Sequence, residues 1–529
     1  MLTLQNLSYI HPDKDLLFSN IYLTLNRKEK VALIGNNGSG KSTLLKIIAG
    51  ELNPSSGTMT VDSTSYYVPQ IFGQFDHLTI AEALRIKDKL FALNEILSGN
   101  ATEQYFNTLN DDWTVEERCI EALTYWQLNK LSLDQKLETL SGGQKTKVFL
   151  AGISIHQADF ILLDEPSNHL DLEARNQLYN FIRSASATLL VVSHDRKLLN
   201  LLDKVCELDR TGIKVYGGNY DFYAEQKAVE LNALNEDLRS KEKALRIARE
   251  KEREATERKN KLDSRGKKKQ EKAGVARIMM NTMRNNAENS TSKLKSVHTE
   301  KISGIRQEYH NLRSSLPDID KMKLDLDDSR IHKGKLLFSA TKINFSFDNE
   351  PVWKEDLSLE LKSGERISVR GANGSGKTTL IKIILGKLEP QKGTVKRQLE
   401  KALYIDQDYS LIDNNLQVYD QAQVFNDSGL EEHEVKIRLN RFLFDKESWA
   451  KSCGALSGGE KMRLMLCCLT ISHQSPDLIV LDEPTNNLDI QNIDIMLSAI
   501  NDYKGTLIVV SHDEHFLMRV NPDRVLELN

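Results

Sequence analysis

The apolar residues of this chain fall into short wholly apolar runs that alternate with longer stretches of helical periodicity. Runs such as "ATLLVV" are about six residues long and rich in β-branched side chains, which predicts buried strands. Strands alternating with helices predict an α/β fold with a largely parallel sheet. A membrane-spanning helix needs about 20 apolar residues, so none of these runs predicts one. Between Pro166 and Pro317 the pattern changes: proline is absent, and Glu, Lys, Arg, Ala and Leu dominate. There Leu231, Leu234, Leu238, Leu245, Ala248, Ala255 and Leu262 fall on a and d positions of a heptad, interrupted by Lys241, Glu252 and Lys259. Ile302, Ile305, Tyr309, Leu312 and Leu316 repeat the spacing of three and four. Two antiparallel helices with a tip near Gly266–Gly274 are predicted. About 38 residues at a rise of 1.5 Å would make an arm on the order of 55 Å long.

The pattern also occurs twice. "VALIGNNGSGKSTLLKIIAG" (31–50) returns as "ISVRGANGSGKTTLIKIILG" (367–386), and "LETLSGGQKTKVFLAG" (137–152) as "CGALSGGEKMRLMLCC" (453–468). "FILLDEPSNHLD" (160–171) returns as "LIVLDEPTNNLD" (478–489), and "LLVVSHD" (189–195) as "LIVVSHD" (507–513). A duplication at so long a period means two domains rather than a solenoid. The expected division is a first α/β domain over 1–222, a helical linker over 223–334 and a second α/β domain over 335–529.

Each repeated block carries chemistry. "GNNGSGKS" (Gly35, Asn36, Asn37, Gly38, Ser39, Gly40, Lys41, Ser42) fits GxxxxGK[ST] between a strand and a helix, with Thr43 following. So does "GANGSGKT" (Gly371, Ala372, Asn373, Gly374, Ser375, Gly376, Lys377, Thr378), with Thr379 following. Such glycines let backbone N–H groups surround phosphates at a helix N-terminus. Lys41 and Lys377 would reach the β/γ-phosphates, and Ser42 and Thr378 would ligate Mg²⁺. "ILLDEP" and "IVLDEP" deliver paired carboxylates at strand ends. Asp164 and Asp482 suit the Mg²⁺ shell, while Glu165 and Glu483 suit orienting or deprotonating the attacking water. His194 and His512 each lie 30 residues after the respective aspartate. One histidine after a strand is more often structural. Its recurrence at the same phase favours a catalytic role.

The order P-loop, glutamine loop, "LSGGQ", "LDEP", "HLD", "SHD" resembles that of the ATP-binding-cassette ATPases, over most of the chain. The resemblance implies that two cassettes stack head to tail, each ATP lying between one P-loop and the other half's signature. Lys41 would then share a site with the second signature (Ser457, Gly458, Gly459, Glu460), and Lys377 with the first (Ser141, Gly142, Gly143, Gln144). It also implies that Gln70 ("YVPQ") and Gln407 ("YIDQ") approach Mg²⁺ and the attacking water, and that an aromatic stacks on adenine. Counting back from the P-loops gives His11 and Phe347 for the latter, with Tyr9 and Phe345 as alternatives. Two complete motif sets imply two hydrolytic sites. Two cassettes joined by a charged helical linker resemble the ABC-F group, whose members act on ribosomes as translation factors or antibiotic-resistance protection proteins.

Charge places the expected partner. Lys+Arg total 71 against 75 Asp+Glu, a net −4, which by itself argues against a polyanion partner. Yet from Arg258 to Arg284 ten Lys/Arg stand against Asp263 and Glu271, a local +8. Charge clustered at a distal tip is the footprint of phosphate contact, so ribosomal RNA is the expected partner of the linker. The extra residues between glutamine loop and signature in the first half, around "NATEQYFNTLNDDW", are acidic, so no RNA-gripping arm is expected there. No nucleic-acid-binding tail is expected after "VLELN". Cys119, Cys206, Cys453, Cys467 and Cys468 show no CxxC spacing, and the N-terminus lacks a secretory pattern. The expectation is a cytoplasmic monomer that pairs its own cassettes. The alternative is the nucleotide-binding subunit of an exporter whose membrane domains are separate chains.

Overall fold

The computed structural model of the chain describes residues 1–12, 16–70, 72–272, 296, 299–313, 334–347, 350–372, 374–472, 475–486 and 488–528. Its described residues form two compact units, one from 1–221 with 319–529 and one from 222–318.

In the first unit each α/β half is built around a sheet of short buried strands. The first half orders them Ser65–Val68, Phe160–Asp164, Thr188–Val192, Lys30–Ile34, Lys204–Asp209 and Gly212–Tyr216. All neighbours are parallel except the last pair. Every residue of Phe160–Asp164 and Thr188–Val192 is buried, as strands covered on both faces must be, and this is why they read as unbroken apolar runs. The second half repeats the order with Ala402–Ile405, Leu478–Asp482, Thr506–Val510, Arg366–Gly371 and Arg524–Leu528, all parallel.

Each half adds a three-stranded antiparallel sheet: Leu16–Leu25, Leu2–Ile10 and Ser56–Val61 in one, Leu357–Lys362, Leu336–Asn344 and Lys392–Arg397 in the other. Between the two sheets of the first half lies a core that includes Leu4, Phe18, Leu33, Leu45 and Leu162. Lys41–Ile48 packs into it, and its counterpart Lys377–Ile384 into a matching core with Phe338, Trp353 and Leu380. A helical layer precedes each signature helix. It is larger in the first half (Lys87–Leu97, Glu103–Leu109, Val115–Tyr125) than in the second (Val418–Val424, Glu432–Arg441). Asp112 fastens the larger layer through Lys89 at 2.8 Å and Arg118 at 2.7 Å. All five cysteines are buried and unpaired.

The second unit is helical. Tyr220–Lys272, which begins at the end of the first unit, is one uninterrupted helix of 53 residues. It passes through Gly266, where a turn was expected. One glycine costs a helix about 1 kcal/mol, and the Lys- and Arg-rich flanks favour continuation. Leu231, Leu234, Leu238, Leu245, Ala248 and Ala255 are half-buried, and Ile302, Ile305, Tyr309 and Leu312 are half-buried on 299–313. Lys241, at one of the interrupting positions, pairs with Glu308 of that returning stretch. Leu262 departs from the pattern and is 66% exposed. Gly274, Leu316 and the basic residues 277 and 284 lie outside the described residues. So do the side chains of 259, 260, 263 and 266–272.

Candidate functional site

Both P-loops sit at the carboxyl end of a parallel strand, where open α/β sheets place their ligands. Gly38 and Gly40 have φ of 79° and 94°, and Gly374 and Gly376 both have 85°, backbone that side chains rarely adopt. A Cβ on Gly40 would come within 2.7 Å of Phe18, and one on Gly376 within 2.4 Å of Val352, so the loop is also packed too closely for any other residue. Lys41 Nζ donates to the Gly35 and Asn36 carbonyls at 2.8 and 3.0 Å, and Lys377 Nζ to those of Gly371 and Ala372 at 2.7 and 2.9 Å. Each lysine opens a helix whose first N–H groups point into its loop. Asn373 lies outside the described residues.

The carboxylates stand beside the loops. Asp164 is buried, accepts from Tyr67 Oη at 3.1 Å and lies against Ser42. Asp482 accepts from Tyr404 Oη at 2.7 Å. Glu165 and Glu483 occupy left-handed backbone, φ 51° and 48°, pinned by donation of their N–H groups to Val192 and Val510 carbonyls at 2.8 Å. Strain of that kind persists where the surrounding structure imposes it, most often at functional sites. Burial, with Asp164 alongside, pushes Glu165 up to about 8 despite Lys41. Burial pushes Glu483 up to about 7, opposed chiefly by Arg175. His194 Nε2 stands 3.4 Å from Glu165 Oε1, and His512 Nε2 stands 3.5 Å from Glu483 Oε1. Burial holds His194 well below its usual range and His512 down to about 4, so both rings are neutral.

The halves meet over these groups. A cleft of about 860 Å³ is lined by Lys41, Ser42, Thr43, Gln70, Asp164, Glu165 and His194 of the first half, and by Ser457 and Gly458 of the second. It extends past Gly142 to Gln407, and His11 lines it too. Asn37 N donates to Asp489 Oδ2 at 2.8 Å across the interface, while Asp489 Oδ1 caps its own helix by accepting from Asn492 N at 2.8 Å. On the other side Asp171 lies near enough to Lys377 to act on its charge. Asp171 and Asp489 end the repeated blocks "FILLDEPSNHLD" and "LIVLDEPTNNLD". Their signal in the sequence is an aspartate at a helix start seven residues past each candidate metal ligand, and nothing local says that it reaches the other half.

Not every expected residue joins the cleft. Gln144 Oε1 accepts from Ser141 N at 3.0 Å and Glu460 Oε2 from Ser457 N at 2.8 Å, so both side chains turn back to close capping boxes. A Cβ on Gly459 would meet Asn492 Nδ2 at 2.3 Å; this glycine lets the signature helix approach the helix that follows Asp489. Phe347 is 59% exposed and packs edge-on against Phe345 at 4.9 Å, whereas Tyr9 is half-buried between His11 and Phe18.

The donor set fits ATP with Mg²⁺. Ser39 Oγ, Ser375 Oγ, Asp164 Oδ1 and both Glu483 oxygens are buried without a hydrogen-bond partner, an arrangement that calls for a ligand. Hydroxyl, amide and carboxylate oxygens suit a hard cation. Among the described residues no three His, Cys, Asp or Glu cluster as a metal cage.

Comparison with known proteins identifies the class. The profile of the ABC transporter family matches residues 18–168 and 354–486. ATP-binding protein Uup of Haemophilus influenzae is 31% identical over 95% of this chain and 75% of its own length. ABC transporter F family member 5 of Arabidopsis thaliana is 27% identical over 95% and 71%. Archaeal ribosome recycling factor aABCE1, solved with the stalk protein aP1, superposes with a TM-score of 0.59 at 20% identity, over 99% of this chain and 87% of that one, a likeness of fold. The chain belongs to the ATP-binding-cassette family, in its F group, and is a tandem ATPase. Among the described residues no helix is long and apolar enough to cross a membrane.

Proposed function

We propose that this protein hydrolyses ATP to ADP and phosphate at two composite sites and uses the closure of its cassettes to act on the ribosome through the linker. The observation that carries the composite sites is the Asn37–Asp489 bond, which places a residue of the second cassette on the P-loop of the first. In each site the P-loop N–H groups and Lys41 or Lys377 hold the phosphates. Ser42, Gln70 and Asp164, or Thr378, Gln407 and Asp482, would hold Mg²⁺, which neutralises charge on the β/γ-oxygens. Glu165 and Glu483 orient or deprotonate the attacking water. The neutral rings of His194 and His512 are available to donate toward the γ-phosphate. Phosphoryl transfer is mostly positioning and charge stabilisation, so one base per site suffices. The linker pairs its helices as a coiled coil, and we assign the ribosomal RNA contact to its +8 window, in a chain of net −4, where attraction to RNA has to be local. The domain limits that go with this reading are 1–222, 223–334 and 335–529, in a cytoplasmic monomer.

The test is the double variant Glu165→Gln/Glu483→Gln. It should bind ATP, lose turnover and co-sediment with ribosomes in ATP more strongly than the wild type does in ADP. Equal sedimentation in both nucleotide states would remove closure from the mechanism. Recovery in a membrane pellet instead would favour the exporter subunit.

A further inference from the structure

Two residues after His194, Arg196 reaches across to the second cassette. Its Nη2 donates to Asp494 Oδ1 and Oδ2 at 3.3 and 3.5 Å, and its Nη1 to His515 Nε2 at 3.2 Å. An arginine has no acceptor, so His515 must present a bare nitrogen and is neutral in this contact. Asp494 is also held by Arg519. It lies just over one turn along the helix Ile490–Asp502, whose cap Asp489 accepts from Asn37 N in the first P-loop. The guanidinium therefore ties the loop that carries His194 to the helix that carries Asp489. Those two elements border the first ATP site from opposite cassettes. The same guanidinium lies over the ring of Tyr220, 5.7 Å from its centre. Tyr220 is the first residue of the long linker helix, and beside it Asp221 and Asn200 exchange two hydrogen bonds of 2.9 Å.

The second site is built differently. The blocks "LDEP" and "SHD" recur at the same offset of 318 residues, which sets Glu514 opposite Arg196 in the repeat and Asn176 opposite Asp494. Across the interface Glu514 pairs with Lys197 at 3.3 Å, and the linker helix leaves only the first cassette. A contact serving the cassette interface alone would have no reason to include the root of that helix.

We propose that Arg196 is a positioning residue for the first ATP site, clamping the His194 loop to the Asp489 helix, and that the root of the linker helix acts on this site through it. By linkage, whatever displaces Tyr220 must change the poise of the first site, while the second site feels it only indirectly.

The proposal rests on Glu165 and Glu483 as bases, so turnover is read one site at a time. Glu483→Gln leaves the first site active and Glu165→Gln the second. In the first background Arg196→Ala should lower kcat about tenfold, the order of a lost charge-assisted contact, with KM for ATP little changed. In the second background the loss should stay below about twofold. His515→Gln, which keeps an acceptor for the guanidinium, should hold first-site kcat within about twofold, whereas His515→Leu should not. Tyr220→Leu should lower first-site kcat by about threefold and leave the second site unchanged. Equal losses at both sites, or none at either, would overturn the clamp. A Tyr220→Leu variant with wild-type first-site kcat would overturn the link to the helix. Turnover retained by the double Gln variant would fault the base assignment instead, a result distinct from any of these.

Discussion

Glu165 and Glu483 show what the proposed ATPase sites ask of single residues. Each is kept in left-handed backbone at a cost of about 1–3 kcal/mol, so the proposed role would oppose stability. Glycine adopts that conformation freely, and Glu483→Gly should therefore melt at a higher temperature than Glu483→Gln while both lose turnover at their site. A differential scan of the two variants decides it. Away from the site, Glu29 is a residue whose charge supports the fold. Burial would raise its pKa, but bonds from Asn26 and from Lys204 at 2.7 Å outweigh that and bring it down from 4.5 to about 2. A carboxylate depressed in the folded state stabilises above its unfolded pKa and loses that contribution as pH falls through the folded value. Glu29→Gln should accordingly lower the melting temperature at pH 7, with the gap to wild type closing between about pH 4.5 and 2. A gap that stays constant across that window would contradict the assignment.

At the scale of elements, burial separates segments that look alike in composition. Leu162 lies at the middle of a strand with no exposed residue, and Leu162→Ala should cost about 2–5 kcal/mol by denaturant unfolding. Leu262, also a leucine in a regular element, is 66% exposed, and Leu262→Ala should fall within about 0.5 kcal/mol of wild type. Near-equal losses would mean that the linker leucine is covered in solution. The caps offer a finer comparison. Thr79 and Glu82 close a capping box on a four-residue helix ahead of the extra helical layer, and Ser141 and Ser457 do the same on the signature helices. Both signature serines thus hold their helix, and Ser457 lines the cleft as well, with Gln144 and Glu460 turned inward to close the boxes.

For the whole molecule the question is how a nucleotide event would reach the ribosome proposed as its partner. On the proposed mechanism the γ-phosphate would be gripped from both cassettes only when they meet, and a ligand shifts such an equilibrium only through that differential affinity. Ser457→Ala should impair turnover at the site of Lys41 rather than at that of Lys377, as read by site-resolved nucleotide trapping. The basic window makes a separate prediction. Replacing Lys267, Lys268 and Lys269 by Ala should flatten log K against log salt for ribosome binding by roughly 2–3 units if each contacts one phosphate. Basal ATPase should barely change. An unchanged slope with intact binding would return the window to an ordinary solvated segment.

Much of this protein was readable one residue at a time. The P-loops, strand-end carboxylates, signature serines and histidines are local arrangements whose proposed chemistry rests on residue type and short spacing. The duplication then doubled each signal. The parallel sheets followed from the same logic, because strands buried on both faces have to be apolar throughout. Contacts between distant segments were not readable. Asn37 and Asp489 are 452 residues apart, and Arg196 and Asp494 are 298 apart. No local propensity encodes which surface a charged side chain will meet once two domains pack. Gly266 shows the converse: its break signal was local, and the flanking helix formers overrode it. Tertiary structure also decided where Gln144 and Glu460 point, because an unsatisfied N–H at a helix start claims the nearest acceptor before any ligand does. The residue types therefore set the chemistry available to this chain, and the packing of its two halves decided which residues share a site.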